Sequence, residues 1–324
     1  MRVKIGLKEI KEAANRIKKF INRTPCVPSQ RLSEHYNRNI YLKLENLQIT
    51  GGFKIRGNAN KLSSLSNSEL GSGVVTASSG NHGLGLSLSA KHRFVNATIV
   101  VPKRTPRNKI EKLKKYGAEV IINGDNYDEA VLTAKEIEKN QGFLYIPSFD
   151  DLDIITGNGT IGLEIYEDVP DTNLVVCPIG GGGGISGIGL ALKGFSPSIR
   201  VIGVEAQGAS SMKYSLVANK RICLEKINTI ADGIAVRQPG RIPFKIIKDI
   251  VEEIIVVSDD EMKKALCQLV LKDKIVPELA GSASVAALSK IKLPKFGAIV
   301  CLISGGNIDQ KLLVSILKHY GNDN

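Results

Sequence analysis

The chain has 324 residues, of which 43% are hydrophobic and 23% are charged, values that are ordinary for a globular protein with one large or two modest domains. Its net charge of +12 raises the question of nucleic-acid binding, but the lysines are mixed with acids and only 5% of residues are aromatic, so we expect no nucleic-acid partner. No apolar run approaches the roughly 20 residues that cross a bilayer, and the N-terminus lacks an apolar signal core, so we expect a cytoplasmic protein with no membrane partner.

Hydrophobic periodicity predicts helices that alternate with strands along most of the chain. The predicted helices cover residues 7–21, 81–93, 108–116, 125–139 and 259–271. The predicted strands cover residues 40–45, 74–79, 97–102, 119–122, 143–146, 174–177, 201–205, 253–257 and 298–303. The helix at 125–139 starts with an acidic N-cap, a further helix follows a run of glycines, and a long polar segment precedes the strand at 253–257.

Several of these strands are continuous runs of Val and Ile, which indicate parallel sheets covered by helices on both faces. The predicted fold class is therefore α/β. Residues 66–150 form one compact run of strands and helices, which suggests a small lobe. We expect the large lobe to combine residues 1–65 with residues 151–324.

A lysine between glycines stands in the segment Thr-Gly-Gly-Phe-Lys-Ile-Arg-Gly at residues 50–57. If the fold buries Lys54 beside Phe53, its amine loses its proton more easily and can attack a carbonyl to form an imine. Most lysines are surface charges, so this segment alone is also compatible with an exposed Lys54 that has no catalytic role.

The predicted strand at 74–79 runs into a helix through Thr-Ala-Ser-Ser-Gly-Asn-His-Gly, residues 76–83. Small hydroxyl and amide residues at a helix N-terminus suit a carboxylate, which accepts several N–H and O–H bonds there. The alternative is ordinary helix capping by Ser78, Ser79 or Asn81.

Five consecutive glycines, residues 180–184, follow a buried strand and precede a helix. Their free backbone N–H groups and the helix dipole predict an anion site. Gly182, Gly184 and Gly187 also satisfy the dinucleotide pattern G-x-G-x-x-G, and Glu205 stands near the position of its ribose-binding acid. A dinucleotide therefore remains an alternative for this segment.

A fourth polar segment, Ser-Gly-Gly-Asn at residues 304–307, follows the predicted strand at 298–303. Ligands of open α/β sheets bind beyond the carboxyl ends of strands. We therefore expect these strand-end loops to face one cleft.

Together the four segments resemble the β-family of pyridoxal 5′-phosphate (PLP) enzymes, which share the tryptophan synthase β-subunit fold, and among them threonine dehydratases and serine racemases most closely. The resemblance runs from about residue 23 to residue 307. It implies two open, mostly parallel twisted sheets flanked by helices, with PLP in the cleft between a large PLP-binding domain and a small domain that grips the substrate. It explains all four segments, whereas a dinucleotide explains only one.

The resemblance also implies a role for each motif residue. Lys54 would hold PLP as a Schiff base, Asn81 would bond its ring oxygen, and Ser304 would meet its pyridine nitrogen. The implied phosphate cup is Gly180, Gly181, Gly182 and Gly183. The other implied cofactor residues are Phe53, Gly233 and Glu278. The implied residues for the substrate carboxylate are Ser78, Ser79, Gly80, Asn81 and His82.

The chain departs from the family pattern at three positions. Gly52 stands where a serine is usual, so a hydrogen bond near the lysine is expected to be lost. Leu279 replaces a usual proline and Asn158 a usual glutamine.

A metal site is not a firm expectation. Serine racemases bind a divalent cation, and Glu205 and the carbonyl of Ala209 match two of its ligands, but Ser211 stands where an aspartate is needed. The five cysteines are far apart and predict neither a zinc site nor disulfides.

The activity implied by the resemblance is that of an L-threonine and L-serine dehydratase, which releases ammonia with 2-oxobutanoate or pyruvate. Lys54 would be both cofactor anchor and base. Serine racemase and hydroxyaspartate dehydratase remain alternatives on the same fold, since racemases place their second acid at the position of Ser79. An NAD-dependent dehydrogenase is the remote alternative.

The expected partner is a small amino-acid substrate, and the expected assembly is a homodimer or homotetramer. The resemblance suggests a place in amino-acid metabolism, including isoleucine biosynthesis. Because the sequence ends soon after Asn307, we expect no C-terminal regulatory domain.

Overall fold

A computed structural model describes residues 5–321 of the chain. Its helices are α1 (Leu7–Ile17), α2 (Gln30–Tyr36), α3 (Lys54–Ser64), α4 (Asn81–His92), α5 (Arg107–Lys115), α6 (Tyr127–Gln141), α7 (Leu152–Asp168), α8 (Gly183–Phe195), α9 (Ser211–Val217), α10 (Arg241–Ile250), α11 (Asp259–Leu271), α12 (Leu279–Ala286) and α13 (Gln310–Tyr320). Its strands are β1 (Cys26–Pro28), β2 (Ile40–Leu44), β3 (Val74–Ala77), β4 (Ala97–Val101), β5 (Glu119–Ile122), β6 (Leu144–Tyr145), β7 (Thr172–Pro178), β8 (Arg200–Ala206), β9 (Glu253–Val257) and β10 (Ala298–Ile303).

The strands form two open sheets. The larger has six strands in the order β1-β2-β10-β7-β8-β9, and the smaller has four in the order β5-β4-β3-β6. Every pairing is parallel except that of β1 with β2. The predicted α/β fold with two mostly parallel sheets flanked by helices is confirmed.

All four strands of the smaller sheet lie between residues 66 and 150, and all six strands of the larger sheet lie outside that range. Each sheet has its own apolar clusters, which include Val176, Ile202 and Ile303 in the larger and Val74, Ile99 and Leu113 in the smaller. The residues that follow the strands are thus carried by two separate cores.

The parallel order brings functional segments to one edge of the larger sheet. Strand β10 pairs with both β2 and β7, and in parallel strands the carboxyl ends lie on the same side. The chain continues from β2 toward Lys54, from β7 into the glycine run, and from β10 into Ser304. The topology therefore places three of the four motif segments near one another.

Several predicted elements differ from the structure. Helix α1 ends at Ile17, four residues before the predicted end at 21. Helix α6 starts later than predicted, and its N-cap is Asn126 rather than an acid, with the side chain accepting from the N–H of Glu129 at 3.1 Å. The side-chain amide of an asparagine serves as an N-cap as well as a carboxylate does.

Among the helices that were not predicted, α3 and α7 are buried along most of their length. Helix α7 contains three glycines and packs closely on α8, where a Cβ on Gly187 would lie 2.1 Å from the carbonyl oxygen of Ile155. A helix that is buried on several sides has no polar face and hence no clear helical period. Helix α10 likewise lies inside the segment that was expected to be long and polar.

Within residues 5–321, no helix is both long enough and apolar enough to cross a membrane.

Candidate active site

Lys54 is the first residue of α3, and its side chain is half-buried. Its Nζ donates a hydrogen bond to the carbonyl oxygen of Ser148 at 2.9 Å and lies 5.3 Å from the ring centre of Phe53. Burial lowers the pKa of Lys54 to about 8, although the charge of Glu278 opposes that shift. Such an amine is far more available as a nucleophile and base near neutral pH than a solvated lysine is.

The segment before Lys54 is fixed to the segment after β10. Gly52 and Gly305 form an isolated β-bridge, and the N–H of Phe53 donates to the carbonyl of Ser304 at 3.2 Å. Ser304 itself is only 5% exposed. Its position at the end of β10 and beside the lysine segment agrees with the expected meeting of these two loops.

Residues 78–82, the predicted carboxylate loop, connect β3 to α4 and form its first residues. Ser78, Ser79 and Gly80 are half-buried, and Gly80 is the N-cap of α4 in an extended conformation. The first bond within the helix runs from the N–H of Leu84 to the carbonyl of Gly80, so the preceding amides have no partner inside the helix. A Cβ built on Gly80 would meet nothing within 4 Å. The loop thus presents N–H groups beside open space, as a carboxylate site requires.

The side chain of Asn81 links this loop to the larger sheet. Its Nδ2 donates to Oε1 of Glu278 at 2.8 Å, and its Oδ1 accepts from Nδ2 of Asn307 at 2.6 Å. Burial is the main reason why the pKa of Glu278 is raised to about 7. Asn81, Glu278 and the Ser304 segment, far apart in sequence, therefore meet at one place.

The ring of His82 already has partners within the protein. The imidazole is buried, with Nδ1 3.2 Å from Nδ2 of Asn58 and Nε2 3.1 Å from the carbonyl of Ile146. Burial, with the nearby charge of Lys54, lowers the pKa of His82 to about 3. A neutral ring that donates from Nε2 and accepts at Nδ1 satisfies both contacts, so only the N–H of His82 remains for a carboxylate.

The glycine run leads from β7 into α8. Gly182 is the N-cap of α8 and has a φ of +93°, a left-handed conformation that favours glycine. A Cβ on Gly181 would lie 2.2 Å from Cγ of Phe149, and one on Gly183 would lie 2.9 Å from the Phe149 carbonyl. The first helical bond is from Ser186 to Gly182, so the intervening amides form a cradle for an anion.

Close contacts also link the glycine run to Phe53, Gly233 and Glu278. Ring carbons of Phe53 lie 3.1 Å from a Cβ built on Gly184, and the carbonyl of Gly233 lies 3.4 Å from one built on Gly180. Oε1 of Glu278 would be 3.0 Å from a Cβ on Gly233. The predicted cofactor residues are thus neighbours in space.

The sequence did not single out Ser148 and Phe149, although they are part of the site. They follow β6 in the segment Pro-Ser-Phe-Asp-Asp, residues 147–151. A polar segment after a strand was the signal that found the other loops, and the same signal applied here. Phe149 packs against the glycine run and Ser148 holds Lys54.

The carboxylate of Glu205 already accepts hydrogen bonds from within the protein. It is fully buried, and its two carboxylate oxygens accept the N–H groups of Met212 and Lys213, each at 2.8 Å. The hydroxyl of Ser211 donates to the carbonyl of Val236 at 3.0 Å, and Ala209 is buried. Among the described residues no group of three or more His, Cys, Asp or Glu side chains could hold a metal. Because Glu205 is also 0% exposed, its carboxylate is not open to a ribose, which removes its support for the dinucleotide alternative.

Comparisons with known proteins agree with this geometry. A family model described as pyridoxal-phosphate dependent enzyme matches residues 17–305. The chain is 44% identical to an L-threonine ammonia-lyase of Thermotoga maritima, over 97% of this chain and 78% of that protein. It is 41% identical to a catabolic L-threonine dehydratase of Escherichia coli, over 94% of each.

Two solved structures are similar over nearly the whole chain. Maize serine racemase has a TM-score of 0.91 at 33% identity and covers 98% of both chains. The processed threonine deaminase isoform 2 of Solanum lycopersicum has a TM-score of 0.92 at 34% identity, over 97% of this chain and 87% of that one.

Proposed function

The chain belongs to the pyridoxal-phosphate-dependent enzymes, and from that premise we propose that it is an L-threonine dehydratase that also accepts L-serine. The observation that carries the proposal is the proximity of a half-buried lysine amine, a loop suited to a carboxylate and a glycine cradle: Ser148 contacts Lys54, Phe149 contacts the cradle, and Asn81 of the loop lies against Gly52. The relatives named as threonine ammonia-lyase and threonine dehydratase support the choice of substrate.

The residues present fit PLP. At Gly181 and Gly183 a side chain would collide with Phe149, and the left-handed Gly182 completes a turn that leaves amides free for a phosphate. We assign the phosphate to Gly180–Gly183, the pyridine nitrogen to Ser304 and the ring oxygen to Asn81. Phe53, Gly233 and Glu278 would line the ring. PLP, when bound, supplies an electron-withdrawing ring that stabilises negative charge on the substrate Cα.

Lys54 is assigned two tasks, holding the cofactor aldehyde and taking a proton from the substrate Cα. Its pKa of about 8 supports both, because a neutral amine is needed for each. Ser148 fixes the direction of Nζ through its carbonyl oxygen. The same atom can therefore be brought back to one position in each catalytic cycle.

The substrate carboxylate is assigned to the free amides at the start of α4 and to the hydroxyls of Ser78 and Ser79. The open space beside Gly80 leaves room for it. Holding the carboxylate there fixes the orientation of Cα relative to Lys54. The β-hydroxyl then departs as water, and hydrolysis releases ammonia and 2-oxobutanoate from threonine, or pyruvate from serine.

Ser304 favours elimination over amino-group transfer. A neutral hydroxyl gives the pyridine nitrogen no negative partner, so the ring withdraws electrons less strongly than it would beside a carboxylate. The half-buried Ser79 supports serine racemisation as a second activity, because it stands in the loop that grips the substrate. The similarity to maize serine racemase favours the same second activity.

We also propose a cytoplasmic homodimer or homotetramer. Exposed apolar side chains near the lysine segment support self-association: Leu47 is 53% exposed, Ile49 40% and Val276 44%. One relative is named catabolic, so a degradative role competes with one in isoleucine biosynthesis.

The test of the proposed function is product analysis with L-threonine, L-serine and D-serine. Release of 2-oxobutanoate from L-threonine at a higher kcat/KM than pyruvate from L-serine supports the proposal. Formation of D-serine from L-serine without 2-oxobutanoate from L-threonine would instead favour the racemase.

A further inference from the structure

Asn307, the last residue of the Ser-Gly-Gly-Asn segment, contacts residues from the parts of the chain that carry both sheets through one side chain. Its Nδ2 donates to Oδ1 of Asn81 at 2.6 Å and to the carbonyl of Thr50 at 2.8 Å. Its Oδ1 accepts a hydrogen bond from Nζ of Lys112, a half-buried residue of α5. All the polar atoms of this amide are therefore used.

These contacts fix the direction of two amides. A lysine ammonium can only donate, and a carbonyl can only accept, so Asn307 has its oxygen toward Lys112 and its NH₂ toward Asn81. Asn81 must then have its oxygen toward Asn307, which directs its NH₂ to Glu278 at 2.8 Å. Reversal of either amide would place a hydrogen-bond donor against a donor and an acceptor against an acceptor.

The neighbouring glycines leave room for these side chains. A Cβ on Gly51, which has a φ of +75°, would lie 2.6 Å from Oδ1 of Asn307. One on Gly52 would lie 3.1 Å from both Cγ and Nδ2 of Asn81. Because Gly52 has no side chain, the side chain of Asn81 fits beside it. The hydrogen bond from Asn307 then orients the amide of Asn81.

Asn81 and Lys112 belong to helices that flank the smaller sheet, whereas Asn307 and Glu278 belong to the part built on the larger sheet. A second link, between Lys109 and Asp232 at 3.0 Å, runs beside them, but Asp232 is 77% exposed. Exposed ion pairs of this kind contribute little. The half-buried chain from Lys112 through Asn307 to Asn81 is the stronger of the two connections.

We propose that Asn307, held by Lys112, is a positioning residue that orients Asn81 toward the cofactor and keeps the carboxylate loop next to Lys54. The role rests on the proposed function for what Asn81 binds. The contacts that produce the orientation belong to the protein alone.

The experiment compares Asn307→Asp and Lys112→Met with the control Lys115→Met. Lys115 lies on the same helix and is exposed, so its variant removes the same charge without touching the amide chain. Asn307→Asp keeps the shape of the side chain but turns the donor that faces Asn81 into an acceptor. The measurements are the Kd of PLP for the apoprotein by absorbance titration, kcat and KM for L-threonine, and the melting temperature.

We expect Asn307→Asp to raise both the PLP Kd and the KM by at least about tenfold, the order of effect of a buried acceptor left without its donor. Lys112→Met should raise both by a smaller factor, and Lys115→Met should change neither. In both test variants kcat at saturating substrate should fall less than kcat/KM does, because the reacting groups remain in place.

Wild-type values of Kd and KM in Asn307→Asp and Lys112→Met would overturn the proposal. The proposal would also be overturned if all three variants lost affinity for PLP in proportion to the fall in their melting temperatures. That pattern would mean general destabilisation. If the wild type binds PLP but does not deaminate L-threonine, the proposed function fails, while the PLP titrations still decide the role of Asn307.

Discussion

The amine of Lys54 donates to the carbonyl oxygen of Ser148 at 2.9 Å, across 94 residues of sequence. The next residue, Phe149, packs on the glycine run, and Asp150 accepts the N–H groups of Arg241 and Ile242 at the start of α10. One short segment therefore orients the lysine and supports the anion cradle.

The lowered pKa of Lys54 predicts its reactivity in the apoprotein. Above about pH 8 the buried amine is neutral and should react with an acylating reagent, and below that pH it is protonated and should react progressively less. Competitive labelling followed by mass spectrometry, with a short model peptide that contains one lysine as the standard, gives the two titration curves. A Lys54 curve that coincides with that of the model peptide would contradict the prediction.

The contact between Gly181 and Phe149 predicts a rescue. Gly181→Ala places a Cβ 2.2 Å from Cγ of the ring, so the cradle must move and the PLP Kd should rise. Adding Phe149→Ala removes the ring and should restore part of the affinity. Titration of the two single variants and the double variant measures the coupling between the positions, and strictly additive losses would argue against the contact.

The buried ion cluster behind α3 predicts a large loss of stability. The fully buried Arg56 bonds Glu45 at 2.8 and 2.9 Å and Glu164 at 2.7 Å. Arg56→Met leaves two buried carboxylates short of a cation, with only Lys43 remaining, and should lower the free energy of unfolding by about 3–5 kcal/mol.

The control for this change is Lys103→Met. Lys103 pairs with Asp125 at 3.1 Å, but both side chains are more than half exposed, so its loss should cost no more than about 1 kcal/mol. Urea unfolding of both variants provides the comparison. Equal losses of unfolding free energy in the two variants would show that the buried cluster contributes no more to stability than an exposed ion pair does.

The proposed role of Ser79 predicts a variant that separates elimination from racemisation. Both reactions need proton removal by Lys54, but only racemisation needs a second acid on the opposite face of the substrate. Ser79→Ala should therefore keep much of the L-threonine deamination rate and lose D-serine formation by about 10²- to 10⁴-fold. Loss of L-threonine turnover at saturating substrate would refute this role, and a higher KM for both reactions would mean lost carboxylate binding.

The strand-end rule found three of the four motif segments because glycine and hydroxyl residues after apolar runs are a local signal, and the Lys54 segment stood out as a lysine enclosed by glycines. Strands β5, β9 and β10 and helix α11 begin and end at the predicted residues, because hydrophobic periodicity is also a local signal. Their meeting point is not local. Asn81 reaches Glu278 across 197 residues, and Arg56 reaches Glu164 across 108, and nothing near either residue in the sequence specifies the partner.

Helix α7 was missed because its glycines allow close contact with neighbouring helices rather than a turn: Gly159 and Gly162 lie against α8, and Gly157 lies against α3. Gly57 in α3 is similar, since a Cβ there would lie 2.9 Å from the carbonyl of Ile154. In both helices the residue that weakens helix propensity is required by the neighbouring backbone. Propensity was therefore overruled by tertiary packing.

The most direct test of the account is the location of the cofactor bond. Reduction of the PLP-loaded protein with borohydride, followed by peptide mass spectrometry, should find one pyridoxyl adduct on the peptide that contains Lys54. Lys54→Ala should lose both the adduct and the turnover of L-threonine, because one side chain is assigned as anchor and base. An adduct on another lysine, or deamination that persists in Lys54→Ala, would contradict it.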